Sequence, residues 1–232
     1  MVGSPFLARE FRTDDDTLLY RLLPNPTDEP QPLVLFLHGA GERGADNKAQ
    51  LTHVVGIFAE PHARNQFPCH VIAPQCPSGG RWVDCDWSAP THGLPEAPSG
   101  PQGLVMGLLE QCIADPLVDA SRIYMIGLSM GGYGTWDLVA RRPELFAAAV
   151  PICGGGDENV AARLAGVPIW AFHGTDDSVV PVARSRNMVD AVRATSGDIR
   201  YTEYAGTGHN SWGPASREPE LLPWLFDRHL SL

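Results

Sequence analysis

The stretch that decides the fold is GLSMG at residues 127–131. The apolar run before it, residues 123–126, predicts a buried strand, and the pattern of residues 133–142 predicts a helix. A strand must therefore turn into a helix at Ser129. Such a turn brings the backbone on either side of the serine close together, and the flanking glycines, which lack a Cβ, leave room for it. The sequence predicts a sharp elbow that exposes the serine hydroxyl; the alternative is a glycine-rich turn in which the serine is a bystander.

Length and composition predict one folded domain over residues 1–232. The chain has 232 residues, of which 44% are hydrophobic and 19% are charged, and this is typical of a globular protein with a substantial core. The formal charge is −10, and no block of Lys or Arg interrupts it. Nucleic acids and anionic membrane surfaces are therefore poor partners, and we expect neither.

The ends and apolar runs of the chain bear on its location. Residues 1–10 lack a basic segment followed by a long apolar run, so we expect a cytoplasmic protein; secretion is the alternative if an export signal has been removed. The longest uninterrupted apolar stretch, residues 145–153, includes a proline and is far shorter than the ~20 residues that a membrane-spanning helix needs. We therefore expect no membrane span.

Cysteine usage predicts free thiols. The five cysteines are odd in number and include no C-x-x-C pair. Buried free thiols are the first expectation, and a Cys76–Cys85 bridge is the alternative for a secreted protein. The positions are Cys69, Cys76, Cys85, Cys112 and Cys153.

Strand-like and helix-like segments alternate along the chain, which predicts an α/β protein with a mostly parallel sheet and helices on both faces. The predicted strands are residues 33–37, 69–73, 122–127, 147–152, 168–172 and 199–204. The predicted helices are residues 50–60, 103–115, 133–142, 158–165, 182–195 and 218–229. Between them lies a long irregular segment, residues 74–102, which is rich in Pro, Gly and Ser. A loop of that length inside a compact domain is usually functional, so we expect it to form a wall over the active site.

A serine hydroxyl is a poor nucleophile, so Ser129 needs a histidine as base and an acid that orients the histidine. The acid has two candidates, Asp176 and Asp177, in the sequence HGTDD that follows the predicted strand 168–172. Both carboxylates come just past the end of a buried strand, as the acid of such a site does.

His209 is the candidate base among eight histidines. It lies in a glycine-rich loop after the last predicted strand, and the chain order of serine, acid and histidine is the order that this type of site follows. The remaining histidines are expected in the core, at caps or on the surface: His38, His53, His62, His70, His92, His173 and His229. His173 lies beside Asp176 and Asp177, but no surrounding cluster has the spacing of metal ligands. We expect no metal and no other cofactor.

Hydrolysis through a serine also needs hydrogen-bond donors for the developing oxyanion. One is the backbone N–H of Met130, which follows the nucleophile. The second is expected from the loop HGAGERG at residues 38–44, with the amide of Ala40 as the candidate. The same loop lacks the pattern of a phosphate-binding loop.

Four motifs in order resemble the α/β-hydrolase superfamily. They are HGAGERG at residues 38–44, GLSMGGYG at 127–134, HGTDDSVVP at 173–181 and GHNSW at 208–212. Within that superfamily the chain is similar to the small phospholipase/carboxylesterase and dienelactone-hydrolase-like branch, which has no cap and also includes predicted peptidases, feruloyl esterases and polyhydroxybutyrate-depolymerase-like esterases. The resemblance covers roughly residue 33 to the C-terminus and implies an α/β-hydrolase fold without a cap domain.

The resemblance also implies which carboxylate acts. The family pattern H-G-x-x-D-x-x-V-P places the acid at Asp177, with Val180 and Pro181 completing the match and Asp176 as a bystander. Dienelactone hydrolases carry a cysteine nucleophile, and Ser129 departs from that, so their lactone chemistry is not implied.

These observations predict a serine esterase that cleaves a small-molecule ester through an acyl-enzyme. A peptidase or thioesterase would use the same residues with a different leaving group, and a binding protein that kept only the fold is a third possibility. The complete set of serine, acid and histidine argues against the last. Tryptophans either line a pocket for an aromatic or sugar-linked acyl group or pack loops onto the core; they are Trp82, Trp87 and Trp212.

Overall fold

The computed structural model describes residues 4–230, and within them eight strands form a single sheet in the order β1-β2-β4-β3-β5-β6-β7-β8. The strands are β1 Leu7–Arg12, β2 Thr17–Leu23, β3 Gln31–Leu37, β4 His70–Pro74, β5 Val118–Leu128, β6 Ala148–Ile152, β7 Ile169–Gly174 and β8 Ile199–Tyr204. In the part of the sheet that runs β4-β3-β5-β6-β7-β8, every pair of neighbouring strands is parallel. Strand β2 is antiparallel to both β1 and β4, so a hairpin closes one edge of the sheet.

Helices cover both faces of the sheet. The α-helices are α1 Pro61–Gln66, α2 Gly100–Ile113, α3 Met130–Arg141, α4 Ala183–Ala194, α5 Trp212–Ala215 and α6 Leu221–Phe226. Side chains of α2, α3 and α4 pack in one buried cluster with Leu33, Leu35 and Leu37 of β3. Val34 and Phe36 of the same strand belong to a second cluster with α5 and α6. Because successive residues of a strand point to opposite faces, β3 is apolar throughout and buried on both sides.

The predicted α/β fold with a mostly parallel sheet is confirmed, and each predicted strand overlaps an observed one. The β1–β2 hairpin was missed. Strand β1, LAREFR, is exposed along most of its length, so its sequence carries little apolar alternation. Its pairing partner, β2, holds it in place.

The predicted helix over residues 50–60 is wrong. Two 3₁₀ helices occupy the region, Ala49–Leu51 and His53–Ala59. His53 has a φ of 71°, and a left-handed residue breaks a continuous right-handed α-helix at that point.

Two other predicted helices also differ from the structure. Residues 158–165 contain a 3₁₀ helix, Glu158–Leu164, rather than an α-helix. Of residues 218–229, only the α6 part is α-helical.

Within residues 4–230, the connection from β6 to β7 holds only that 3₁₀ helix, and the connection from β7 to β8 holds only α4. Neither inserts a helical subdomain over the carboxyl end of the sheet. In this part of the chain, no helix has the length and apolar character needed to cross a membrane.

The cysteines of the described chain are all free thiols, including Cys76 and Cys85. Cys69, Cys76 and Cys153 are buried, and burial raises the pKa of each of these three thiols to about 12. Each is therefore a protonated, weakly reactive group at neutral pH.

Candidate active site

Ser129 lies between the end of β5 and the start of α3, at the elbow that the sequence predicts. Its backbone has φ 53° and ψ −117°, a conformation that a serine rarely adopts. A Cβ on Gly127 would lie 2.1 Å from the carbonyl oxygen of Gly131, and a Cβ on Gly131 would lie 2.0 Å from the carbonyl oxygen of Leu37. Only glycine fits at either position, so these residues allow the tight turn.

The candidate nucleophile, base and acid meet at the carboxyl end of the sheet. Ser129 Oγ lies 2.9 Å from His209 Nε2, and His209 Nδ1 lies 2.7 Å from Asp177 Oδ2. Asp176 points elsewhere: it is exposed, and its Oδ1 accepts a hydrogen bond of 2.7 Å from the hydroxyl of Thr175. Of the two candidate acids, the structure brings Asp177 to the histidine.

Asp177 is buried and surrounded by hydrogen-bond donors. Its Oδ1 accepts the backbone N–H of Val179 at 2.8 Å and that of Val180 at 2.9 Å. Burial by itself raises the pKa of Asp177, but hydrogen bonds from His173, His209 and these amides outweigh it and hold the pKa well below its ordinary value. The carboxylate is thus ionised and fixed in orientation.

His173 is a residue of the site that the sequence analysis expected in the core, at a cap or on the surface. Its side chain is fully buried, and Nε2 lies 3.1 Å from Asp177 Oδ2 and 3.1 Å from the carbonyl oxygen of Val180. Because both neighbours are acceptors, Nε2 carries the proton. Nδ1 lies 2.7 Å from the Ser185 hydroxyl. The signal in the sequence was its place four residues before Asp177, in the H-G-x-x-D pattern.

A cleft of ≈ 320 Å³ opens over Ser129 and His209. Trp87, from the irregular segment 74–102, lines it, as do Val179 and Trp212. The segment therefore contributes to the wall of the cleft, as expected. Trp212 packs edge-on against the His209 ring, with 5.2 Å between the ring centroids.

The expectation that Trp82 lines the pocket is wrong. Its side chain is fully buried, and its indole N–H donates to the carbonyl oxygen of His38 at 3.0 Å. It also packs against the His38 ring, 5.2 Å between centroids. Trp82 thus attaches the start of the segment to the core, whereas Trp87 reaches the cleft.

The middle of the segment contacts a buried cation. Arg184 of α4 is fully buried and donates to the carbonyl oxygens of Pro90 at 2.7 Å and Gly156 at 3.0 Å. The same guanidinium contacts His92 Nδ1 and lies 3.2 Å from Glu158 Oε1. The middle of the segment is therefore attached to α4, the helix that follows the acid loop.

The candidate oxyanion donors lie where the sequence analysis expected them in the chain. Ala40 begins a 3₁₀ helix, Ala40–Glu42, directly after β3, and it lines the cleft. Met130 is the first residue of α3, and its side chain is buried in the core. Their roles as donors stay a prediction.

Within residues 4–230, one group of potential metal ligands lies close together, namely Cys153, Asp177 and His209, with ligand atoms within 4.8 Å of one another. Asp177 Oδ2 and His209 Nδ1 are bonded to each other, and the Cys153 thiol is protonated. A metal ion could bind there only by breaking the pair that serves Ser129.

Comparison with known proteins identifies the family of the chain. Residues 21–216 match the phospholipase/carboxylesterase family. The chain is 31% identical over 141 residues to poly(3-hydroxyalkanoate) depolymerase C of Paucimonas lemoignei, covering 59% of this chain and 31% of that protein. It is 25% identical over 137 residues to the bifunctional acetylxylan esterase/xylanase XynS20E of Neocallimastix patriciarum, covering 55% of this chain and 20% of that protein. The chain thus spans a third or less of the length of these relatives.

Two solved structures are similar over nearly the whole chain. A thermostable esterase superimposes with a TM-score of 0.89 and 40% identity, covering 97% of this chain and 64% of that one. A ferulic acid esterase has a TM-score of 0.70 at 15% identity, covering 96% and 98% of the two chains, and this second likeness concerns the fold. With the family match extending from β2 to the end of α5, the chain belongs to the phospholipase/carboxylesterase family of α/β-hydrolases.

Proposed function

We propose that the protein is a carboxylic-ester hydrolase that works through an acyl-enzyme, with Ser129, His209 and Asp177 as its catalytic triad. The observation that carries this proposal is the hydrogen-bonded chain from Ser129 Oγ to His209, at 2.9 Å, and from His209 to the ionised Asp177, at 2.7 Å. This series of hydrogen bonds ends at Ser129, which borders an open cleft that can admit a substrate.

The geometry supports the following sequence of steps. Ser129 Oγ attacks the ester carbonyl carbon while His209 Nε2 takes the hydroxyl proton, and Asp177 stabilises the imidazolium that results. The amides of Met130 and Ala40 donate to the oxyanion. His209 then gives its proton to the leaving alcohol, which departs and leaves the acyl group on Ser129. A water molecule, deprotonated by His209, then attacks the acyl carbon. The bond to Ser129 Oγ breaks, His209 returns the proton to Oγ, and the acid departs.

The relatives favour an ester over an amide or thioester as the bond that is cleaved. The thermostable esterase is 40% identical to this chain, and the depolymerase and acetylxylan esterase relatives act on esters. An acylaminoacyl peptidase of Pyrococcus horikoshii is 16% identical, with a TM-score of 0.67, and this likeness concerns the fold. A carboxylic ester is therefore the proposed substrate.

Replacing Ser129 tests the proposal. Ser129→Ala should lower turnover of a short-chain p-nitrophenyl ester by ~10³-fold or more, since the nucleophile is lost while the fold is kept. A fluorophosphonate probe should label the wild type at Ser129, as seen by mass spectrometry of the peptide, and should leave the variant unlabelled. Activity within about tenfold of the wild type would show that Ser129 is not the nucleophile.

A further inference from the structure

We propose that Glu42, with His53 beside it, forms a subsite that receives an electropositive group of the alcohol part of the ester, either a cation or a hydroxyl hydrogen, and disfavours anionic alcohols. The proposal rests on the proposed ester hydrolysis and adds a substrate class to it.

The first observation is the place of Glu42. It is the last residue of the 3₁₀ helix Ala40–Glu42, and it lines the same cleft as Ser129 and His209. A Cβ built on Gly39 would lie 3.0 Å from Glu42 Oε2 and 3.6 Å from Ser129 Cβ. The carboxylate and the nucleophile therefore border the same small space.

The second observation is that this carboxylate lacks a close partner. Its side chain is only 14% exposed, yet among residues 4–230 neither carboxylate oxygen accepts a hydrogen bond. His53 Nε2 lies 3.5 Å from Oε1, and that contact is too long for a good hydrogen bond. A poorly exposed carboxylate in this state gains from a ligand that supplies positive charge or a hydroxyl hydrogen.

The third observation is the charge of the cleft. Besides His209, Glu42 is the one ionisable side chain among the described residues that line it. The neighbouring Arg43 is turned away, because its guanidinium donates to the carbonyl oxygens of Ala40 at 2.8 Å and Gly80 at 3.2 Å. Among residues 4–230, His53 is thus the one basic side chain within ion-pair distance of Glu42, and the carboxylate repels a nearby anion.

The position of the subsite relative to His209 indicates the alcohol side. The leaving alcohol takes its proton from His209, so it must lie beside that ring. His53 packs on Trp212, with 5.2 Å between ring centroids, and Trp212 packs on His209 at the same 5.2 Å. This row of rings connects the Glu42–His53 pair to the proton donor.

A set of acetates with different alcohols tests the proposal, because the acyl group and the chemical step stay the same. Acetylcholine carries a cation, 3,3-dimethylbutyl acetate is its neutral isostere, and 3-sulfopropyl acetate carries an anion. Comparison of glycerol monoacetate with propyl acetate tests whether the subsite binds a hydroxyl group.

The rate of acetate release at constant pH gives kcat/KM for each of these esters. The wild type should favour acetylcholine or glycerol monoacetate over the neutral partner and should disfavour the sulfonate, and the favoured pair identifies which group binds.

The variant Glu42→Gln should lower the ratio of kcat/KM for the cation to that for the anion by ~10-fold, as expected for loss of one nearby charge in a partly buried site. Glu96→Gln, which removes an exposed carboxylate of segment 74–102 that does not line the cleft, should leave the ratio unchanged. A ratio that is unchanged in Glu42→Gln, or that falls equally in Glu96→Gln, overturns the proposal.

A measurement on the wild type alone tests the subsite even if the Glu42 variant does not fold. Raising the ionic strength should reduce the preference for the cation over the anion, because salt screens charge interactions. If the wild type turns over the cation, neutral isostere and anion equally well, and the hydroxylated acetate no better than propyl acetate, the subsite does not exist. Fluorophosphonate labelling of Ser129 reports on the hydrolytic machinery without these alcohols, so its failure would instead contradict the proposed function.

Discussion

Ser129 has a backbone conformation that a serine adopts only under constraint. Its φ of 53° persists because neighbours on both sides fix the turn: the Ser129 N–H donates to the carbonyl oxygen of Ile152 at 2.9 Å, and the Tyr133 N–H donates to that of Ser129 at 3.1 Å. Strain of this kind is held by the surrounding structure and is concentrated at functional sites. The serine is partly exposed at the elbow, between the buried end of β5 and the buried helix α3.

The two neighbouring aspartates should differ sharply on substitution. Asp177→Asn should lower kcat by ~10²- to 10⁴-fold, because His209 loses the carboxylate that orients its ring and stabilises the imidazolium. Asp176→Asn is the matched control, and it should stay within roughly tenfold, because Asp176 is exposed and contacts Thr175 rather than His209. Steady-state kinetics of both variants on one p-nitrophenyl ester decide the matter. A larger loss in Asp176→Asn would mean that the acid has been assigned to the wrong residue.

Sequence reasoning reached Ser129, Asp177 and His209 because each follows a strand that can be recognised in the sequence. The ends of β5 and β7 are buried apolar runs, and the partly buried β8 is followed by a glycine-rich loop. The contacts of His173 and Glu42 were not visible. His173 looks like the end of a core strand, and its contact with Asp177 depends on how the loop after β7 folds back. Glu42 depends on a close approach between the loop after β3 and the elbow after β5. Tertiary contacts of this kind leave no periodic trace in the sequence.

At the scale of elements, buried parallel strands were predicted well and short helices poorly. A strand buried on both faces is a continuous apolar run, as in Leu33 to Leu37 of β3. The 3₁₀ helices His53–Ala59 and Glu158–Leu164 have apolar residues at helical spacing, so the pattern cannot separate them from α-helices. Only the backbone geometry does, through the left-handed His53 in the first case.

The two tryptophans of segment 74–102 should respond differently to substitution by alanine. Trp82→Ala should lower the free energy of unfolding by ~3–5 kcal/mol, because it removes a fully buried indole, and should leave ester selectivity nearly unchanged. Trp87→Ala should do the reverse, with a ~10- to 200-fold change in relative kcat/KM between an acetyl and a bulky aromatic ester, because Trp87 lines the cleft. Urea unfolding and a two-substrate comparison on both variants provide the measurements. A large loss of stability with constant selectivity in Trp87→Ala would exclude its role in the pocket.

The whole molecule should lose stability as the pH falls from about 7 toward 4. Burial, together with the nearby Arg43, lowers the pKa of His38 from 6.5 to about 4, although its contact with the Gly39 carbonyl raises it. Burial and Arg184 likewise lower the pKa of His92 to about 4. Below pH 6.5 the unfolded chain binds protons that the folded protein does not bind until about pH 4, so protonation favours unfolding. For His38 the loss reaches ~3 kcal/mol when the folded pKa is approached.

Urea unfolding at pH 7, 6 and 5 measures this effect above the range in which most carboxylates titrate. His38→Gln should flatten the slope of unfolding free energy against pH. His62→Gln removes an exposed histidine and should keep the slope. A wild type whose stability is constant over this range would contradict the expected titration of the buried histidines.

The guanidinium of Arg184 has a consequence for how substrate preference can diverge among related enzymes. It belongs to the helix that follows the acid loop, yet its partners include the carbonyl of Pro90 and the ring of His92 in the wall. A wall from another family member could not simply be transplanted, since the incoming loop must offer acceptors to an arginine that would otherwise be left charged in the interior. Segment 74–102 and α4 would therefore be exchanged together, and recombination points that keep both within one fragment are the ones expected to yield folded chimaeras.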